Sequence, residues 1–142
     1  MNRFVKAIIF GISLVALISI FDFFIYPTSF WLYGYALGAV FALAYYFFVY
    51  RDASEAIAIF LAFFIMLWTG LEDLVFYLIR PLFQPEHAWG IPATMDHLYT
   101  HPVMGVISKT MGLSTVTPVA LIISVLIGGV AAYYVVNYLR GI

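Results

Sequence analysis

The stretch TGLEDLVFYLIRP, residues 69–81, sets two carboxylates, Glu72 and Asp73, side by side in an otherwise apolar run. Further on, DHLYTH, residues 96–101, spaces His97 and His101 four apart. Carboxylates and imidazoles carry protons and hold metals. Residues four apart share a helix face, so His97 and His101 would turn both rings toward one ion. Imidazole with carboxylate suits a divalent zinc, iron, manganese or copper ion, which makes Glu72, Asp73, His97 and His101 a candidate metal set. Without metal, Glu72 and Asp73 would carry protons, and His97 and His101 would act as general bases. Arg80 would hold an anionic head group or pair with Asp73. His87, after Glu86, is a reserve ligand, and Asp22 is a candidate third carboxylate. Plainer readings stand beside these. No glutamate follows His97, so the zinc-peptidase pattern is absent, and Pro102 disfavours helical torsions at His101. The histidines would then be solvated, and a tilted helix would let both carboxylates reach headgroup water.

Composition decides what kind of element positions these groups. Of the 142 residues, 65% are hydrophobic and 9% are charged, against roughly 25% charged in soluble domains. So small a domain leaves much of its surface outside any core, and lipid is the solvent that suits such a surface. A net charge of −1 offers no basic field for nucleic acid. The absence of cysteine excludes disulfides and thiolate ligands. Residues 1–25 open with Arg3 and Lys6 and turn apolar like a signal peptide, yet Asp22 and aromatics stand where small residues are needed for cleavage. This stretch is expected to remain as a first span.

The expected fold is an all-α, single-domain integral membrane four-helix bundle. Four stretches, near 5–26, 30–50, 55–79 and 117–139, reach the ~20 residues that cross the hydrocarbon layer, where lipid forces the backbone into helix. YPTS (26–29) and RDAS (51–54) are the tight turns, and Thr117 with Pro118 is a favourable helix start. Gly34, Gly38 and Ala42, then Ser54, Ala58 and Ala62, then Ala120, Ser124, Gly128 and Ala132 form small-residue stripes. Such stripes let helices approach closely, within one chain, in a homo-oligomer or against other membrane subunits. The connection 80–116 carries all three histidines, and 102–111 has the spacing of a short interfacial helix.

Arg3, Lys6, Arg51 and Arg140 fall on one side of these spans, Arg80 and Lys109 on the other. That bias points both termini to the cytoplasm. Glu72, Asp73 and Asp22 then share the outer end with the histidine-bearing loop. Six residues separate Asp73 from Arg80, which would sink the carboxylates ~10 Å below the end of a continuous helix. Charges at that depth face the bundle interior or a water-filled cavity. The expectation is an acid/histidine site, with or without metal, working on a lipid-soluble or interfacial substrate in contact with membrane lipid. The alternatives are a non-catalytic subunit of a larger membrane complex and a small transporter or channel.

Overall fold

The structure, a computed structural model, describes residues 9, 11–20, 30–46 and 52–141. Among them the chain is helical. Extended pairing is limited to one bridge, where the Met95 N–H donates to the Val116 carbonyl at 2.9 Å. The helices are α1 (Gly11–Ile20), α2 (Phe30–Tyr45), α3 (Ala53–Trp68), α4 (Leu71–Phe83), α5 (Met104–Thr110) and α6 (Pro118–Arg140), with a 3-10 turn at Asp96–Leu98. Asp22 and the 26–29 turn lie outside the described residues.

Local chemistry sets the helix starts. The Asp52 carboxylate accepts from the N–H groups of Ser54 and Glu55 at 3.0 and 3.3 Å and opens α3. Thr117 Oγ1 accepts from the Ala120 N–H at 3.3 Å, and Pro118 occupies the first turn of α6, where its missing N–H costs nothing. The 23 residues of α6 span about 34 Å, long enough and apolar enough to cross a membrane. Among the described residues it is the one unbroken helix that meets this condition.

The expected third span, 55–79, is not one helix. It stops at Trp68 and restarts at Leu71, with the two axes bent by 68°. Gly70 turns the corner at φ +90°, a torsion that residues with a Cβ rarely adopt. Thr69 closes α3 by donating from Oγ1 to the carbonyls of Ile65 and Met66 at 3.0 and 3.1 Å. Glu72 and Asp73 therefore occupy the first turn of a new helix. Carboxylates there complement the free N–H groups and the positive pole of the helix.

Packing is dominated by α3 against α6. The two run antiparallel, since Glu55 at the start of α3 meets Arg140 at the end of α6, while Thr69 lies against Gly128. Ala120, Ser124, Gly128 and Ala132, the whole small-residue stripe of α6, are buried within the chain. One apolar cluster joins Leu14, Val15 and Ile18 of α1 to Phe63 and Leu67 of α3. A second joins Tyr77, Met95, Leu98, Met104, Val116, Ala120 and Leu121, so the 84–117 segment folds onto α4 and the beginning of α6. The helix expected at 102–111 spans Met104–Thr110, and it buries Met104 and Ser108 in this packing.

Candidate functional site

The polar residues of α4 and the following loop gather at the end of the molecule opposite the Glu55–Arg140 pair. α4 continues through Pro81 to Phe83, past residue 79, where the third span was expected to end. Two contacts hold that last turn. The Gln84 N–H donates to the Arg80 carbonyl at 2.8 Å, and Arg80 Nε donates to Gln84 Oε1 at 2.9 Å. The second is an i, i+4 side-chain pair.

Arg80 is the centre of this end. Its Nη2 lies 2.6 Å from His87 Nε2, and its guanidinium carbon stands 5.9 Å from the centre of the Phe76 ring. A guanidinium only donates, so Nε2 of His87 is the acceptor and the ring proton belongs on Nδ1. Glu86 Oε1 is 3.7 Å from the same nitrogen, beyond hydrogen-bond reach. The shorter contact therefore sets the ring's orientation. Tyr77, Arg80, His87, Trp89, Ile91 and Pro92 line a cleft of about 210 Å³. Trp89 is 70% exposed beside it.

The histidines do not share a face. Residues 96–98 form a 3-10 turn rather than α-helix, and the His101 N–H closes onto the Leu98 carbonyl at 3.0 Å. The two rings find different partners. His97 Nε2 is 3.3 Å from the Tyr77 hydroxyl. His101 Nδ1 accepts from the Val103 N–H at 3.3 Å, and its ring stands edge-on to Trp68 with centres 6.2 Å apart. Half-burial holds the His101 pKa below its ordinary 6.5, because desolvation disfavours the charged form. Asp96 accepts from the Thr115 hydroxyl, so it ties the loop to the start of α6.

Glu72 is 7% exposed, while Asp73 is half-buried. Each engages a partner. Among the described residues no three of His, Asp and Glu gather closely enough to hold a metal ion, so Glu72, Asp73, His97 and His101 do not form one cluster there. What the chain brings together is a hydrogen-bonded Tyr77–His97 pair and an Arg80–His87 pair, with Tyr77, Arg80 and His87 on a common cleft wall. The first can pass a proton, and the second can bind an anion.

Tyr77 as the partner of His97, and Glu55 as the partner of Arg140, were not apparent from motif spacing. Arg140 Nε donates to Glu55 Oε2 at 2.8 Å, Nη2 engages Oε1, and the glutamate is buried. A signal did exist for this second pair. Once α3 and α6 are taken as antiparallel, a carboxylate in the first turn of one meets a cation in the last turn of the other.

No protein-family model, curated protein or solved structure matches this chain.

Proposed function

We propose that the chain is a multi-pass integral membrane protein whose loop-covered end binds the anionic head of a lipid-soluble or interfacial substrate at Arg80, beside the Tyr77–His97 proton donor–acceptor pair. The observation that carries this reading is the neutral company that Arg80 keeps. Its partners are an amide, an imidazole and a phenyl ring, and among the described residues it forms no ion pair with a carboxylate. A cation placed next to apolar surface with N–H groups to spare suits a phosphate or carboxylate, which guanidinium binds through parallel hydrogen bonds.

The membrane setting supports the same reading. α6 crosses alone, α3 and α4 together make one bent crossing, and α1 and α2 supply two more. An even number returns both termini to one side, and Arg3, Lys6, Arg51 and Arg140 assign that side to the cytoplasm. Ile122, Leu126, Ile127 and Val130 of α6 are exposed in the isolated chain, as lipid-facing residues are. The small-residue stripe of α6 lends no weight to a subunit role, because α3 covers it.

The test is direct binding. The protein in zwitterionic nanodiscs should bind an added anionic amphiphile, read by Trp89 fluorescence with Trp89→Phe as the silent control. Arg80→Ala should weaken that binding at least tenfold, which corresponds to about 1.4 kcal/mol. Unchanged affinity in a folded Arg80→Ala variant would remove Arg80 from the site and end this reading.

A further inference from the structure

His87 lines the Arg80 cleft in a geometry that suits only an empty cleft. The turn 84–87 brings it there. The His87 N–H donates to the Gln84 carbonyl at 3.0 Å, and the Gln84 side chain is in turn held by Arg80. The imidazole then meets the guanidinium, with Nε2 2.6 Å from Nη2. A guanidinium donates and cannot accept, so this contact exists only while Nε2 keeps its lone pair and the ring is neutral. Gln84 and His87 take one N–H each from Nε and Nη2 of Arg80, and among the described residues Nη1 is bonded to neither. An arriving anion therefore finds donors on Arg80 and, beside them, a lone pair on His87 that repels it.

A proton on Nε2 changes the second of these. It turns His87 into a cationic donor next to Nη2, so both side chains aim N–H groups at the same anion. In the empty cleft a charged ring would stand against the guanidinium, like charge on like charge, and the contact between them would be lost. A bound anion offsets that repulsion. Anion and proton thus favour each other, and by linkage each raises the affinity for the other by the same factor. Nothing else around His87 takes the anion's place. On α4 the cleft wall carries Arg80 and the phenol of Tyr77, whose hydroxyl leads to His97. On its own segment, Glu86 Oε1 lies 3.7 Å from Nε2, but that side chain is 67% exposed and its charge is screened by water. Ala88, Trp89, Ile91 and Pro92 complete the lining without charge.

We infer that the Arg80 cleft takes up its anion together with a proton, and that His87 is the second binding residue, neutral acceptor to Arg80 in the empty cleft and cationic donor to the anion in the filled one. This rests on the reading of Arg80 as the anion-binding residue. The probe is a long-chain alkyl sulfonate, whose single negative charge is constant across the range in which imidazoles change charge. Titrated into the protein in zwitterionic nanodiscs, it should bind about tenfold more tightly at pH 5 than at pH 8. Calorimetry of the native chain in buffers of different ionisation enthalpy should register proton uptake on binding between those limits. His87→Gln keeps an acceptor for Arg80 and cannot gain charge. Its affinity should stay flat, near the native value at pH 8, with no proton uptake. His101→Gln, which leaves the cleft lining untouched, should keep the native pH dependence. A native affinity that is flat with pH, or a His87→Gln chain that retains the pH dependence and the proton uptake, overturns this inference and leaves the Arg80 reading standing. Undiminished binding by Arg80→Ala at both pH values would overturn the two together.

Discussion

His97 and His101 stand four residues apart and serve different neighbours. His97 meets the phenol of Tyr77 on α4, and His101 caps its own loop against Trp68. The environment of His101 has a measurable consequence. Its folded-state pKa lies below the ordinary 6.5 because of desolvation, so below about pH 6.5 the unfolded chain binds more protons at this residue than the folded one. Stability should therefore be complete above that pH and fall as pH drops toward the depressed folded value. Detergent unfolding midpoints measured from pH 8 to pH 5 should show the decline, and His101→Gln should flatten part of it. A midpoint that rises on acidification through this range would contradict the sign.

At the scale of elements, the corner at Thr69–Gly70 changes what Glu72 and Asp73 are. In a continuous span they would be charges buried at depth. In the first turn of α4 they offset the pole of a helix that begins there. The corner is held by close approach, which makes neighbouring glycines unequal. Gly128→Ala would drive a Cβ into Thr69 Oγ1 and Cβ, so α3 and α6 must separate. The expected cost is about 1–3 kcal/mol, the usual range for overpacking. Gly129→Ala meets nothing within 4 Å, and alanine is the better helix former, so that variant should be neutral or slightly stabilised. Side-by-side thermal unfolding decides the matter. Equal midpoints for the two variants would mean that Gly128 does not set the helix separation.

For the whole molecule, the antiparallel run of α3 and α6 puts the Glu55–Arg140 pair at one end and the 84–117 segment at the other. The chain lacks cysteine, so single cysteines can report on which side each end lies. Ser54 and Ser114 are both exposed and suit the purpose, whereas Ser108 is buried and does not. In sealed inverted and right-side-out vesicles, an impermeant thiol reagent should label Ser114→Cys from outside only and Ser54→Cys from inside only. Labelling of both positions from the same side would rule out an α3–α4 crossing.

The primary structure by itself determined the helical class, the capped start of α6, and the gathering of Arg80, His87 and His97 at one end. These follow from solvent preference and from contacts within a few residues, which a linear reading contains. Thr117 caps α6 through its own neighbours, and an apolar stretch such as 118–139 has helix as its way to satisfy its backbone in lipid. Tertiary structure alone decided the corner at Gly70, the divergence of the two histidine rings and the choice of Tyr77 and Glu55 as partners. Glycine permits a left-handed torsion anywhere, but Leu121 and Met104 closing over Gly70 locate the turn there. Those residues lie far along the chain and reach Gly70 only after α5 and α6 have folded back. Ring directions likewise depend on backbone torsions that the Met95–Val116 bridge and the Tyr99 hydroxyl, bonded to the Leu113 carbonyl at 3.1 Å, impose from a distance.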